Sequence, residues 1–571
     1  MEQTTGTAAS GRGGRRVGAR NAVAVAMLAA LAIDALLARA ARVGARKLLA
    51  VGLVVALAMA SLASAVGGDP DPASGPAALE ATPVPASGGA LAPAQPSTPT
   101  PTPTPTAAPA GATAPVPVSV SIDGSHPGRR VVGGYLGLSF EATDLRRIAE
   151  YGGRGDLVGL LRSLGPGVLR FGGVSADTRI AWTDAKTPRP AWTSAVLEAG
   201  DLRLLARLAR ESHWHVLLTV GLAHYDPSAA AREVAAAAHT LGPWLSGIEI
   251  GNEPDAYARH GLRGLPWTFE RYDAEVRAYR RAIAKLAPGI PLAGPGVSGS
   301  HVFMHWGPSE ARTEHPALLT GHHYPLGCHQ QPTPSITQLL SPQVRVMEGD
   351  SLFRYMEVAR ATGLPFRMDE ANSVSCGGSA GISNTFAAAL WATGYIGQSL
   401  AAGVSGLNFQ GNPANCLGYS AVCAPNAARL ATGGLTAQPL WYALLMMRGL
   451  VGARTLRTTV STPQPQNLAV TTFVTRAGAL VISLVDDEPP GSQPTRLSLR
   501  VGPRFGTASV LTMTAPSLEA TSGVTLGGRT VARDGSWSEP ADTPRLPVQE
   551  GTIDLTLMPS SAELVTATPA G

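Results

Sequence analysis

From about residue 118 the chain alternates between short apolar runs and longer amphipathic ones. The short runs are YLGLSFE (135–141), GVLRFGG (167–173), HVLLTVG (215–221), LSGIEIG (245–251), IPLAGPG (290–296), ALLTGHHY (317–324), LPFRMDE (364–370) and GVSGLNF (403–409). Brief apolar stretches bounded by Gly, Pro or Asn suit strands buried in a sheet. Between them, DLRLLARLAR (201–210), AAAREVAAAAHTL (229–241), ERYDAEVRAYRRAIAKL (270–286), SLFRYMEVARATG (351–363) and FAAALWATGYIGQSL (386–400) read as helices. Eight strands with intervening helices predict an α/β architecture, a (β/α)8 TIM barrel, with an open doubly wound sheet as the alternative. PLWYALLMMRGLVG (439–452) reads as the last barrel helix. After it NLAVTTFVT (467–475), ALVISLV (479–485), TRLSLRV (495–501) and TIDLTLM (552–558) alternate as strands between Gly/Pro-rich turns, which predicts a C-terminal β-sandwich. VSVSID (118–123) is a lone early strand suited to pair into that sandwich.

The expected organisation is a leader over 1–68, a disordered Pro/Ser/Thr-rich linker over 69–117, a strand segment over 118–132, the barrel over 133–452 and the β-sandwich over 453–571. PSTPTPTPTPT in the linker favours an extended polyproline-type chain, open to glycosylation and too poor in apolar residues to build a core.

Charge changes the picture only after it is located. The formal net charge of +5 suggests an acidic partner, yet eight of the 45 Lys/Arg and two of the 40 Asp/Glu lie in 1–68. The remaining 37 basic and 38 acidic residues leave the body near neutrality, which removes the main support for nucleic-acid binding. Within the leader, Arg42, Arg46 and Lys47 precede LLAVGLVVALAM (48–59), and small residues follow at Ala63 and Ala65. That is the layout of a signal peptide cut after Ala65, or of an uncleaved anchor that tethers the body to a membrane or cell wall. Either way an extracellular or cell-surface location is expected.

Four cysteines in an exported chain, Cys328, Cys376, Cys416 and Cys423, point to two disulfides. Cys416–Cys423 suits a loop staple and Cys328–Cys376 follows by elimination, although spacing alone leaves the pairing open.

Candidate chemistry sits at strand ends. Glu253 follows the fourth strand in GIEIGNEPD (247–255), and Glu370 ends the seventh. Pro254 lacks an N–H for a sheet and favours an extended Glu253. Catalytic groups of barrel enzymes stand at the C-terminal strand ends, and glycosidic cleavage needs two carboxyl groups, one a proton donor and one a nucleophile. Asp369, one residue before Glu370, is expected on the opposite strand face in a structural role. Glu249 shares parity with Glu253 and calls for a partner such as Arg170, which serves equally well as support for Glu370.

RFGG (170–173), EIGNEPD (249–255), GHHYP (321–325) and RMDEANSVSCGG (367–378), in that order, resemble glycoside hydrolase family 79, the heparanase and β-glucuronidase family of clan A. The resemblance spans roughly 116–567. It implies a retaining hydrolase of β-linked glucuronic acid acting on glycans or glycosides, with a C-terminal β-domain and without cofactor or metal. By it, Glu253 is the acid/base and Glu370 the nucleophile. Asn252 holds the sugar 2-hydroxyl, Tyr324 orients Glu370, and Glu141, Gly173 and Val174 carry further substrate contacts. Gly377 and Gly378 offer backbone N–H groups to the uronate. An aromatic that some relatives supply beside them is not evident, because Cys376 takes that part of the loop. Another clan A specificity, such as a β-xylosidase or arabinofuranosidase, is the neighbouring alternative, and a non-catalytic sugar-binding surface protein is the alternative of another class.

Three other patterns fail on context. His322 and His323 lack a carboxylate–histidine ligand set and read as hydrogen-bonded lining. GPGVSG (294–299) matches a dinucleotide fingerprint, but Pro295 removes an amide and no acid follows near 319. GGSAG (377–381) lacks the apolar strand that should lead into a nucleophilic Ser379.

Overall fold

The computed structural model describes residues 114–570; the leader and the linker up to residue 113 lie outside the described residues. Eight parallel strands close into a barrel in chain order: β1 (Leu136–Glu141), β2 (Val168–Gly172), β3 (His215–Val220), β4 (Leu245–Ile250), β5 (Leu292–Val297), β6 (Leu318–His323), β7 (Phe366–Ala371) and β8 (Gly406–Gly411). Closure comes from β8 pairing with β1, with Phe409 opposite Leu138. These are the eight strands expected from the hydrophobic pattern, and the open-sheet alternative falls.

Alternation sets the two faces of each strand. Leu138, Phe140, Leu169, Phe171, Ile248 and Ile250 pack into the core shared with the surrounding helices. Ser139, Arg170, Thr219, Glu249 and Thr320 are buried and meet one another inside the barrel. A polar barrel interior is costly unless its groups are paired, so this centre already suggests a purpose beyond packing.

The outer helices include two that periodicity did not reveal, Leu157–Leu164 and Ser300–Thr313. The second contains Gly307 and Pro308, which read as helix breakers in sequence. Trp306 and Phe303 on this helix are buried against the barrel, and that packing outweighs the local preference.

The C-terminal region is one curled sheet of ten strands with two layers. Arg454–Ser461 joins the layers: its first residues pair with Thr472–Val474 and its last with Ser119–Asp123. Val118, Val120, Leu497 and Ile553 from one layer share a core with Ile482, Leu484, Val510 and Val565 from the other. The early strand Val116–Asp123 lies between Arg454–Ser461 and Thr495–Arg500, as a sandwich partner should.

Helix Phe386–Ala402, which follows the β7 loop, is buried along most of its length between barrel and sheet. Its first N–H groups, on Phe386 and Ala387, donate to the carbonyls of Ala520 and Leu518 in the sheet region. At Gly397 the helix comes so close to Thr471 that the threonine side chain stands where a Cβ would project. Gly397→Leu is therefore expected to destabilise the protein by about 1–3 kcal/mol, the cost of overpacking. Thermal unfolding checks this, and an unchanged midpoint would contradict the close packing.

Both disulfides form, Cys328–Cys376 and Cys416–Cys423, and no free cysteine remains. The first ties the loop after β6 to the loop after β7. Among the described residues no helix is long and apolar enough to cross a membrane.

Candidate active site

Arg170 on β2 is the largest charged side chain in the barrel centre and has no exposure. Its Nη1 donates to Glu370 Oε2 at 2.6 Å, and its Nη2 donates to Glu249 Oε2 and to Asn252 Oδ1, both at 2.9 Å. The sequence left Arg170 between Glu249 and Glu370; the structure gives it both. Glu249 also accepts from Thr219 at 2.9 Å and Thr320 at 2.7 Å. Burial pushes the Glu249 carboxyl up, but Arg170 and His322 bring it down to about 2.

Asp369 corrects the expectation of strict alternation. It is fully buried on the same side as Glu370, with Oδ2 3.0 Å from Arg170 Nε, although the pair is misaligned for a hydrogen bond. The cause is a register shift: Met368 lies opposite Gly321 and Glu370 opposite His322, so β7 holds one extra residue. Two residues then face one partner, and both carboxylates turn toward the barrel centre. Burial and the neighbouring charge of Glu249 push the Asp369 carboxyl up, while Arg170 and His322 hold Glu249 down.

Glu253 also departs from expectation. It is left-handed rather than extended, with φ 48° and ψ 52°, and it opens the short turn Pro254–Ala256. The surroundings impose this conformation. Asn252 N–H donates to Asp177 Oδ2 at 2.9 Å, Glu253 N–H donates to the Gly296 carbonyl at 2.9 Å, and Asp255 accepts from Ser298. Such backbone strain in a non-glycine residue collects where a side chain must be aimed. Here it directs the Glu253 carboxylate to His322 Nδ1 at 2.9 Å.

Glu253, His322 and Glu370 each present an atom within 4.8 Å of the other two. A cation would also accept that spacing. The Glu370 oxygens are already engaged, however, by Arg170 on Oε2 and by the Tyr324 hydroxyl, which donates to Oε1 at 2.8 Å. His322, fully buried, is the lining residue the sequence implied and more. Burial pushes its pKa down, while Glu370, Asp369 and the Glu253 hydrogen bond raise it to about 9. For Glu253, burial pushes the carboxyl up, yet the hydrogen bond and charge of His322 prevail and hold it below its ordinary value.

Around this pair the structure places Asn252 with Oδ1 turned to Arg170, which leaves its amide N–H₂ free to face a ligand. Glu141, at the end of β1, accepts from Ser175 N–H at 2.9 Å, and burial raises its pKa. Gly173 has φ 69°, and a Cβ there would stand 2.5 Å from the Glu141 carboxylate, so glycine is needed for that approach. Val174 is 46% exposed at the start of the following helix. The amides of Gly377 and Gly378 are both engaged: the first donates to the Tyr419 hydroxyl at 3.2 Å, the second to the Ser375 carbonyl at 3.2 Å.

Tyr419 was missed in sequence. It comes from the loop after β8, stapled by Cys416–Cys423, and stacks on Tyr324 at 6.0 Å between ring centroids. It places an aromatic ring beside Gly377 and Tyr324. The signal was a cysteine-bracketed loop following the last strand, ANCLGYSAVC (414–423).

No family profile and no curated protein matches the chain. Solved structures do. A 4-O-α-L-rhamnosyl-β-D-glucuronidase from Fusarium oxysporum, 19% identical, aligns over 79% of this chain and 100% of its own, with a TM-score of 0.62. The GH51 arabinofuranosidase of Xanthomonas axonopodis pv. citri, 14% identical, aligns over 79% and 100% with a TM-score of 0.59. The catalytic domain of GH30 xylanase C from Talaromyces cellulolyticus, 13% identical, aligns over 79% and 100% with a TM-score of 0.50. The chain shares the fold of these glycosidases, a closed eight-stranded barrel accompanied by a β-sheet domain.

Proposed function

We propose that this protein is an exported retaining β-glycosidase that hydrolyses β-linked glucuronic acid, with Glu370 as nucleophile and Glu253 as acid/base. The carrying observation is the approach of the two carboxylates to within 4.8 Å at the ends of β4 and β7. Retaining glycosidases hold their carboxyl groups about 5–5.5 Å apart, whereas inverting ones need roughly 6.5–9.5 Å to admit a water. The four motifs that resemble family 79 all meet at this centre, and one structural neighbour is a glucuronidase.

Glu370 attacks the anomeric carbon while Arg170 and Tyr324 fix its oxygens. The leaving oxygen takes a proton from the Glu253–His322 pair, and the sugar is left as an ester on Glu370. Water, deprotonated by Glu253, then attacks the anomeric carbon and frees Glu370. Because His322 pulls Glu253 down, the proton belongs to the pair and not to either group alone. The basic limb of kcat/KM against pH should then lie near 9, where the pair loses that proton. In His322→Gln the proton rests on Glu253 alone, so the limb should move to lower pH by more than about one unit. An unmoved limb would remove His322 from the proton inventory.

A neutral-sugar reading has one specific observation in its favour: both glycine amides assigned to the uronate are already taken by Tyr419 and Ser375. Hydrolysis of a chromogenic β-glucuronide beside the matching xyloside and arabinofuranoside decides between them. Glucuronide preference supports the uronate pocket, with Tyr419 rotating to release Gly377. Preference for a neutral glycoside keeps the glutamates and discards the uronate. Retention follows from the anomer seen first by NMR.

A further inference from the structure

A second cleft opens on the same C-terminal rim of the barrel, between the excursion after β2 and the loop after β3. It encloses about 540 Å³ including its open mouth and is lined by Asp177, Trp182, Thr187, Trp192, His224 and Glu233, among others. The excursion is tied down. Ile180–Trp182 pairs in parallel with Ala195–Leu197, Trp182 Nε1 donates to Asp184 at 2.9 Å, and Arg232 on helix Pro227–Leu241 reaches Thr187 Oγ1 at 2.8 Å.

Trp192 lies flat on the His224 ring, with centroids 3.7 Å apart and planes 10° from parallel, and is 37% exposed. One tryptophan face is thus held rigid by a partner while the residue stays open to the cleft. A rigid indole face suits the C–H face of a sugar ring, and two stacked rings lose little freedom when a ligand settles on them.

Glu233 lines the same cleft from helix Pro227–Leu241 and is 9% exposed. Among the described residues no group donates to its carboxyl and no cation compensates it; burial alone raises its pKa to about 8. A carboxylic acid that keeps its proton at pH 7 carries one donor and one free acceptor, the complement of a sugar hydroxyl. Asp177 and Asp226 also line the cleft, and no Lys or Arg does, so a uronate or sulfated unit would be repelled.

The cleft adjoins the catalytic turn. Asp177 Oδ1 accepts from Leu222 and Ala223 N–H beneath it, while Oδ2 accepts from Asn252 N–H, one residue before Glu253.

We infer that this cleft is a subsite for a neutral sugar unit next to the residue being cleaved, with Trp192 as stacking platform and Glu233 as hydrogen-bonding floor. The inference rests on the glycosidase reading for its purpose but is testable without turnover. The chain silenced by Glu370→Gln is titrated calorimetrically with xylotetraose, cellotetraose, galactotetraose and arabinotetraose, with tetragalacturonic acid as the charged probe. Saturable binding of at least one neutral tetrasaccharide is expected, at least tenfold tighter than the charged probe. Trp192→Ala should weaken it at least tenfold and Trp192→Phe only partly. Glu233→Gln should keep most of the affinity, since the amide still donates and accepts, and Glu233→Leu should lose it. Binding of no neutral probe, equal binding of the charged one, or affinity unchanged in Trp192→Ala would each overturn the subsite. In the active enzyme, Trp192→Ala should lower the ratio of kcat/KM for an oligosaccharide to that for an aryl glycoside. A chain inactive on aryl glycosides that still binds neutral tetrasaccharides through Trp192 would refute the catalytic reading and keep this one.

Discussion

Glu370→Gln is expected to lower kcat on a chromogenic β-glucuronide by roughly 10⁴- to 10⁶-fold, the scale on which covalent hydrolases lose activity with their nucleophile. The amide keeps the size of the side chain and a hydrogen bond with Tyr324, whose direction reverses, so the fold should persist and the loss should be chemical. Arg170 gives a second handle on the same substitution. Its Nη1 lies 2.6 Å from Glu370 Oε2, and a glutamine at 370 places either an oxygen there or a second donor. Arg170 requires the oxygen, which turns the amide N–H₂ toward Tyr324; the tyrosine hydroxyl can accept as well as donate. Glu253→Ala should behave differently. A substrate with a good leaving group needs little protonation, so its glycosyl-enzyme ester should form and then persist, and mass spectrometry should find a labelled Glu370 peptide. Turnover of Glu370→Gln within tenfold of the native enzyme would sink the assignment of the nucleophile.

Arg170→Met is expected to cost about 3–5 kcal/mol of stability, the usual consequence of removing one partner from a buried ion pair. Arg170 has no exposure and faces Glu249, Asp369 and Glu370, so its loss takes away the guanidinium these buried carboxyl groups share. Glu249 shows how this links to pH. Its folded pKa of about 2 lies below its ordinary value, so the pair stabilises the protein above the unfolded pKa and is lost as pH falls toward 2. Arg170→Met should therefore narrow the gap in stability between neutral and acid pH as well as lower the neutral value. Arg170→Lys keeps the charge but not the fork that reaches Glu249, Asn252 and Glu370 together, so it should fold better than Met and still lose activity. Thermal melts from pH 3 to 7 check both, and a melting point for Arg170→Met within a degree of native would show that the barrel centre does not depend on this cation.

Much of the architecture was legible because a barrel strand is a local object. Its length, apolar content and flanking Gly or Pro can be read within seven residues, and all eight were. The C-terminal strands at 468–474, 480–486, 495–500 and 552–557 were equally plain, while Phe505–Thr514 and Ser561–Pro569 were not singled out. Helix Ser300–Thr313 was hidden by Gly307 and Pro308, whose local preference yields to burial of Phe303 and Trp306.

The chemistry divides along the same line. The sequence by itself determined which residue types stand at the ends of β4 and β7, since Asn252, Glu253 and Glu370 follow directly from strand position. It also determined that Arg170 and Glu249 needed partners, because neither charge can be buried alone. Only the tertiary structure decided where the side chains point. The extra residue in β7 turns Asp369 inward beside Glu370, and the left-handed Glu253 is held by its own N–H on the Gly296 carbonyl and by the Asn252 N–H on Asp177, acceptors 43 and 75 positions from their donors. Tyr419 reaches Gly377 only because β8 closes the barrel against β1 and β7. Such contacts join distant parts of the chain and compete with local preference. Neither periodicity nor spacing records the outcome, because it depends on which groups remain unpaired once the barrel has closed.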